Sequence, residues 1–393
     1  GTFTATAGVG YFLNTTGGII TVNLPVGAAG SSVALADYAG TWQTNNVTVA
    51  ANGTEKIGGV DADVTLSTEG QSVTFVYIDG TQGWVNVLDS TSNVRGREFI
   101  VATGGTISCC GNDKIHKFTG PGTFTVCTAA ICAANNLVSY MVVAGGGGGG
   151  GHGGAGGGAG GFRELKSPST PYTASPLDGY PSAPNRITVS ASPGSYPIVV
   201  GAGGAGGCCA GGTQGDVSTF DSITSTGGGY GGGGAPSPTM VGGPGGSGGG
   251  GGGNAPGNAG GSGNTPTQTP AQGTGGGAGT SPHYEAGGGG GATVAGTAGT
   301  PGPAGPAGPG GAGATSSIDG TPTARAGGGG GSSQTYPAHG SGGLGGGGDG
   351  INCAQCGAGT INTGGGGGGI HNSAPHCGGL GGSGIVIIRY RYK

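Results

Sequence analysis

Runs dominated by glycine restrict this chain more than any other feature of its sequence. The chain of 393 residues contains 110 glycines, and the runs lie at residues 145–151, 227–234, 242–253, 287–291, 327–331, 342–348 and 364–369. Glycine has no side chain to bury, and fixing the backbone of one residue costs about 1–2 kcal/mol of conformational entropy. A core of interlocking side chains cannot be built from these runs, so they are either disordered or held by backbone hydrogen bonds.

The low charge of the chain argues against disorder. It carries 12 Lys and Arg against 16 Asp and Glu, whereas disordered low-complexity segments usually have high charge. A threefold extended helix of the polyproline II type leaves every backbone N–H and C=O pointing outward, and only glycine lets such helices approach closely on all sides. Because each bond between helices contributes about 1 kcal/mol net, the runs predict a bundle of polyglycine II helices.

Two apolar strands bracket the glycine-rich region. The sequence "LVSYMVVAGG" begins it and "GGSGIVIIRYRYK" ends it. Val142 and Val143 at one end, with residues 385–388 at the other, are suitable partners in one small sheet. The sequence "YPIVVGAGG", residues 196–204, is a third strand candidate. We therefore expect residues 137–393 to form one domain, a polyglycine II helix bundle closed by a small sheet.

Residues 1–95 have the pattern of an ordinary all-β protein. Apolar and polar residues alternate near residues 47–50, 64–66, 73–78 and 84–88, and turn dipeptides such as Asn-Gly and Asp-Gly separate these segments. Asn14–Gly18 lies between two further alternating runs and predicts a hairpin turn. Helix signals are nearly absent. The pattern predicts a β-sandwich-like domain at 1–95, followed by a short β connector at 96–136.

Charge and hydrophobicity exclude several functions. The formal net charge is −4, and the largest basic cluster is Arg389, Arg391 and Lys393, which argues against a nucleic-acid partner because phosphate neutralisation needs a basic patch. The longest apolar stretches fall far below the roughly 20 residues that span a bilayer, so we expect no membrane insertion. The scattered acidic residues of the glycine-rich region do not suggest the paired carboxylates of a glycosidase. We expect neither enzymatic activity nor a cofactor.

One group of residues has the spacing of a metal site. Cys353 and Cys356 are followed by His371 and His376, a spacing close to that of classical zinc fingers. The intervening run, 364–369, lacks a helical pattern that would present the two histidines together. Free thiols or a local disulfide are therefore the favoured interpretation, and these four residues are weak metal candidates only. The nine cysteines cannot all pair within one chain, since nine is odd.

The segments between the glycine runs carry the residues best suited to recognition. Tyr gives a rigid amphipathic contact area and Ser gives adaptable hydrogen bonds, and both are frequent in these segments together with Pro and His. Binding residues commonly lie on loops that a rigid scaffold supports. The candidate receptor-binding residues are Tyr172, Tyr180, His283, Tyr284, Tyr336, His339 and His371.

Several segments together resemble a known kind of protein. "TFTATAGVGYFLNTTGGIITVNLP" and "LSTEGQSVTFVYIDGTQGW" are similar to a β-rich domain in tail fibres of marine bacteriophages, especially those of cyanobacteria. "IHKFTGPGTFTV", "YMVVAGGGGGGG", "AGGFRE", "YPIVVGAGGAG" and "GGSGIVIIRYRY" resemble the glycine-rich distal domain of such fibres and of phage adhesins. The resemblance covers nearly the whole chain.

The resemblance implies a virion receptor-binding protein that adheres to the host surface. The implied partners are a host cell-surface glycan or outer-membrane protein and other virion proteins. It also implies a homotrimeric tail fibre that is assembled in the host cytoplasm. Two alternatives stay open from the sequence: a capsid-attached fibre or decoration protein, and a cellular glycine-rich structural adhesin.

Overall fold

Strands make up the regular secondary structure of this protein. The computed structural model describes residues 1–90, 99–254, 257–302, 305–334, 338–351, 357–371 and 376–393. Its contacts divide the chain into two units, Gly1–Gly96 and Arg97–Lys393. Within the described residues the only helical segments are two 3-10 turns, Ala133–Asn136 and Ala183–Asn185. The all-β prediction is therefore confirmed.

The described residues of the first unit form eight strands in two sheets. The strands are β1 (Thr2–Thr4), β2 (Val9–Leu13), β3 (Ile20–Asn23), β4 (Ser32–Asp37), β5 (Val47–Ala50), β6 (Val64–Leu66), β7 (Ser72–Asp79) and β8 (Gly83–Ser90). One sheet has the order β1-β3-β5-β6 and the other β2-β4-β7-β8. The four strands predicted from alternation correspond to β5, β6, β7 and β8.

The hairpin predicted around Asn14–Gly18 is wrong. Strand β2 pairs in parallel with β4, and β3 pairs in parallel with β1 and β5, so this turn connects the two sheets. Leu13 before the turn and Val22 after it both enter the same buried cluster. Alternation identified the two strands correctly, but it carries no information on which strands pair.

A single side-chain core joins the two sheets of the first unit. It contains Trp42, Phe75 and Trp84, which are 0–2% exposed. The buried carboxylate of Asp37 accepts hydrogen bonds from the backbone N–H groups of Gly40, Thr41, Trp42 and Gly70 at 2.9–3.2 Å. These bonds satisfy a buried charge and fix the segment that carries Trp42.

In the part of the second unit that the structure describes there are twelve strands. They are β9 (Val101–Thr103), β10 (Thr106–Cys110), β11 (Asp113–Phe118), β12 (Gly122–Thr128), β13 (Ser139–Val143), β14 (Phe162–Leu165), β15 (Ser195–Val199), β16 (Ser218–Phe220), β17 (Ile223–Ser225), β18 (Ala314–Ser316), β19 (Thr323–Arg325) and β20 (Ile385–Arg391). They form five-stranded sheets of order β10-β11-β20-β13-β14 and β17-β16-β15-β12-β9, and a β18-β19 hairpin.

The two strands that bracket the glycine-rich region pair as predicted. Strand β13 runs antiparallel to β20, with Val142 opposite Val386 and Val143 opposite Ile385. The third candidate is also a strand, β15, but it lies in the other five-stranded sheet. Strands β9 to β12, which precede the glycine-rich region, contribute to both sheets.

Strand β13 is buried on both of its faces. Tyr140 and Val142 belong to an aromatic-rich cluster with residues of both five-stranded sheets, including Phe124 and Phe220. Met141 and Val143 point to a second cluster, which they share with Phe162, Ile385, Ile387 and four alanines of the glycine-rich region. The sheet that contains β13, β14 and β20 is thus where the glycine-rich segments begin and end.

Candidate functional site

The glycine-rich segments are held by backbone hydrogen bonds that repeat every three residues. In segment 145–151 each successive N–H group bonds a different neighbouring segment, and every third residue returns to the same one. The acceptor carbonyls are those of Asp216, Thr213 and Ala210 for residues 145, 148 and 151, of Gly382 and Gly379 for residues 146 and 149, and of Gly158 and Ala155 for residues 147 and 150. Donor numbers rise as acceptor numbers fall, so these three neighbours are antiparallel.

The carbonyl groups of the same segment bond three further neighbours. They accept the N–H groups of Gly228, Gly231 and Gly234, of Gly204 and Gly207, and of Gly367 and Ile370, again at intervals of three residues. Here donor and acceptor numbers rise together, so these neighbours are parallel. Segment 145–151 is therefore surrounded by six others. We call the bonded segments between residues 144 and 384 the glycine network.

Close approach explains why this network consists of glycine. A Cβ atom placed on Gly289 would overlap the carbonyl oxygen of Gly157, and one placed on Gly329 would overlap that of Gly367. Gly275 is different, because a Cβ atom there would meet only the carbonyl oxygen of Gly261, at 3.4 Å. Segments in the interior of the network thus exclude side chains, whereas some outer positions accept them.

The glycine network has two ends. At the proximal end, Gly145 follows β13, while Gly161 and Gly384 immediately precede β14 and β20. The distal end lies where the segments turn back. Backbone bonds bring its turns together: Gly253 donates to the carbonyl of Gly153 at 2.9 Å, and Ser332 donates to that of Gly154 at 3.1 Å.

Three aromatic rings meet at the distal end. The ring of Tyr284 lies edge to face with His371, at a centroid distance of 5.2 Å and an interplanar angle of 86°. It makes the same kind of contact with His152, at 6.1 Å and 86°. The N–H of Gly153 donates to the carbonyl of His371 at 2.9 Å. Three turns, distant in sequence, are thereby joined around one tyrosine; we call these three residues the distal ring cluster.

Two further histidines lie on neighbouring distal turns. The carbonyl of His283 accepts the hydroxyl of Thr280 at 3.1 Å and the N–H of Asn254 at 2.5 Å. Nδ1 of His339 accepts the N–H of Ser333 at 3.0 Å. All five residues are partly exposed. The distal end therefore combines imidazole and phenol groups on backbone that is bonded into the network.

Burial affects the charge of these histidines. Burial lowers the pKa of His339, and burial, followed by the charges of His152 and His339, lowers the pKa of His371. Nδ1 of His152 and Nδ1 of His371 are buried and make no hydrogen bond to any of the described residues. Protonation of His371 would place a charged donor at its Nδ1 atom, which agrees with the lowered pKa of that residue.

Tyr172 and Tyr180 lie apart from the distal ring cluster. The Tyr172 hydroxyl donates to the carbonyl of Leu165 at 3.4 Å, and the guanidinium of Arg389 lies 5.1 Å from the centre of its ring. Burial raises the pKa of the Tyr172 phenol. Tyr180 packs against the aromatic-rich core beside Arg186, whose guanidinium is 4.6 Å from its ring centre. The structure therefore associates both tyrosines with the sheets.

The remaining candidate residues are one tyrosine of the recognition set and the weak metal candidates. Tyr336, Cys353 and Cys356 lie outside the described residues. Cys377, which follows His376 directly, forms a disulfide with Cys208. Within the part of the chain that the structure describes, no three His, Cys, Asp or Glu side chains are grouped so that they could hold a metal ion. The spacing of Cys353, Cys356, His371 and His376 stays an untested prediction.

His152 belongs to the distal ring cluster and was missed in the sequence. It directly follows the seven glycines of 145–151, and both His152 and Gly153 have positive φ, 54° and 74°. A histidine in that conformation is uncommon, and it marks the point at which the chain reverses. A side chain that interrupts a glycine run between two segments is the signal that could have identified it.

Comparison with known proteins identifies the family of the second unit. The family model of a glycine-rich domain matches residues 118–391. The match covers more than half of the chain, and the protein belongs to this glycine-rich domain family. A search of the curated proteins found no match. In the described residues no helix has the length and apolar character needed to cross a membrane.

Proposed function

We propose that the glycine network is a bundle of polyglycine II helices closed by the sheet that contains β13 and β20. Its support is the three-residue repeat of the bonding directions in 145–151, since a polyglycine II helix has three residues per turn and no internal hydrogen bonds. Seven residues of such a helix span about 22 Å. In the first unit, the two sheets around one core favour a β-sandwich-like domain.

We further propose that the protein is a receptor-binding protein whose distal end adheres to a host surface. The observation that carries this is the gathering of His152, Tyr284 and His371 from three separate turns. The interior of the network has almost no side chains with which to discriminate a partner, whereas the distal turns present aromatic and imidazole groups on a hydrogen-bonded support. Such a support reduces the entropy lost when a partner binds.

The resemblance of the sequence specifies the proposal further. It favours a tail fibre of a marine bacteriophage, assembled in the host cytoplasm as a homotrimer and joined to other virion proteins. The receptor would be a glycan or an outer-membrane protein of the host cell. Binding without catalysis is the proposed activity. The buried Glu285 carboxylate beside Tyr284 accepts the Thr280 hydroxyl at 2.8 Å and so helps to hold its own turn.

A comparison of distal and proximal variants tests this function. In the distal variant, His152, Tyr284 and His371 are replaced together by Ser; in the control, the exposed proximal residues Val294 and Ile361 are replaced by Ser. Losing one aromatic anchor at a binding centre costs about 2 kcal/mol or more, which is roughly thirtyfold in affinity. We expect the distal variant alone to lose adsorption to marine cyanobacterial cells by at least that factor.

Sedimentation keeps the adsorption result interpretable. Both variants should sediment as trimers, like the unchanged protein, because neither set of substitutions touches the interior of the network. If the distal variant sediments as a trimer and still adsorbs fully, recognition does not reside in these three residues and the proposal fails. If both variants lose adsorption equally, the distal end has no special role.

A further inference from the structure

Two outer segments of the glycine network form a ladder that leads to a pair of cysteines. The carbonyls of Gly201, Gly204 and Gly207 accept the N–H groups of Gly384, Gly381 and Gly378 at 2.8–3.0 Å. The acceptor numbers rise by three while the donor numbers fall by three, so the two segments are antiparallel. The next residues beyond the last of these bonds are Cys208 and Cys377, at the distal end.

The ladder of backbone bonds ends directly beside the two cysteines and so places them side by side. They are 169 residues apart in sequence and are joined as a disulfide. Cys377 comes six residues after His371, whose carbonyl is bonded by Gly153 and whose ring packs on Tyr284. The backbone at His371 is thus bonded beside the distal ring cluster, and Cys377 is tied to Cys208 by the disulfide.

We propose that Cys208 and Cys377 are a redox-controlled fastener of the distal end. The cysteines are thiols while the chain is in a reducing compartment and become a disulfide in an oxidising one. That the protein passes from the first compartment to the second rests on the proposed virion function. The disulfide ties Cys377, at the distal end of segment 378–384, to Cys208, at the distal end of segment 201–207. Oxidation thereby completes the distal surface after the network has folded.

The chemistry needs an external oxidant of the disulfide class, such as oxidised glutathione. The thiolate of one cysteine attacks this disulfide, giving a mixed disulfide and one glutathione thiolate. The thiolate of the second cysteine then attacks the protein sulfur of the mixed disulfide and releases the second glutathione thiolate. Two protein thiols are oxidised to one disulfide, and one molecule of oxidised glutathione is reduced to two of glutathione.

Hydrogen exchange of the full chain tests the fastener. The protein is prepared fully reduced, and one portion is then oxidised with glutathione disulfide. We expect peptide mapping to find the Cys208–Cys377 cross-link, and we expect amide exchange within residues 376–382 to slow by about tenfold on oxidation, because the disulfide suppresses local opening. Cys377→Ser should remove the slowing, while the exposed Cys132→Ser should retain it.

Two results would overturn the inference. One is a mapped cross-link of Cys208 or Cys377 to a different cysteine. The other is equal exchange within residues 376–382 in the reduced and oxidised protein. Adsorption to cyanobacterial cells is recorded in parallel and tests the proposed function separately: slowing of exchange without any adsorption keeps the fastener and removes the receptor-binding role.

Discussion

Each unit of this protein is stabilised internally by a different part of the polypeptide, side chains in the first and backbone in the second. In the first unit, side chains such as Trp42, Phe75 and Trp84 fill the space between two sheets. In the glycine network, neighbouring backbones contact each other directly, and the bonds of segment 145–151 reach six other segments. The same loss of conformational entropy is offset by apolar burial in one unit and mainly by backbone hydrogen bonds in the other.

This difference predicts opposite sensitivities to substitution. A side-chain core is damaged when atoms are removed, because a cavity remains. The glycine network should be damaged when atoms are added, because its backbones leave no room for a Cβ atom at interior positions such as Gly289. Variants that add or remove side-chain atoms in each unit can therefore test whether the two units differ in this sensitivity.

The largest effect is expected from a side chain in the interior of the network. Gly289→Val and Gly329→Val each place a branched side chain against a carbonyl oxygen of the adjacent segment. We expect the second unit to lose its cooperative unfolding transition, which corresponds to a cost above about 4–5 kcal/mol. Thermal unfolding followed by limited proteolysis measures it.

Gly275→Ala is the matched control for these variants. A Cβ atom at this position meets its nearest neighbour at an ordinary contact distance of 3.4 Å, so we expect a change within about 0.5 kcal/mol. If the two valine variants unfold like the unchanged protein, direct backbone packing does not hold the second unit together.

Removing side-chain atoms from the first unit should give the next largest effect. Phe75→Ala empties a buried position in its core, where the residue is 2% exposed, and we expect a loss of about 3–5 kcal/mol. Phe12→Ala is the control, because that phenylalanine is 77% exposed. Equal destabilisation by both, measured by urea unfolding of the first unit, would show that Phe12 is also buried in solution.

The smallest effect is expected from pH. The pKa values of His339 and His371 lie below the ordinary value of 6.5 in the folded protein, chiefly because of burial. Below about pH 6.5 the unfolded chain therefore binds more protons than the folded chain, so the free energy of unfolding falls as pH falls. Partial exposure of both rings weakens the effect, and it should be smaller than that of Phe75→Ala.

Unfolding of the second unit between pH 8 and pH 5 measures this dependence. The variant His371→Gln removes one titrating group and should flatten the curve. His116 needs separate comparison, because burial also lowers its pKa and it lies in strand β11 rather than at the distal end. A curve for His371→Gln that is identical to that of the unchanged protein would contradict the assignment of the distal effect to His371.

The sequence allowed the all-β class and the pairing of β13 with β20 to be predicted. Strands are readable because the alternation of apolar residues is a local property, and the two bracketing strands were the most apolar segments of their region. The pairing of β2 and β3 was predicted wrongly, since the choice of partner depends on the whole sheet. A short turn such as Asn14–Gly18 fits a hairpin and a crossing between sheets equally well.

The candidate site was only partly readable for the same reason. His283, Tyr284, His339 and His371 are all on short distal connections between bonded segments of the glycine network. Tyr172 and Tyr180 are in a longer insert that packs on the sheets through Arg389 and Arg186. Whether an insert extends from the scaffold or folds back on it depends on such tertiary contacts, which composition does not encode.

The three-residue repeat of the bonds in segment 145–151 has a consequence for how such a gene can change in length. Deleting one glycine from the middle of the segment would turn every later N–H group toward the wrong neighbouring segment. Deleting three would leave every later N–H group directed at the same neighbouring segment as before, with its bonding partner shifted by three residues. Viable length changes within the runs should therefore come in multiples of nine nucleotides. In the distal turns any multiple of three nucleotides would keep the reading frame and leave the three-residue repeat within the runs unchanged, so new surfaces can arise there in smaller steps.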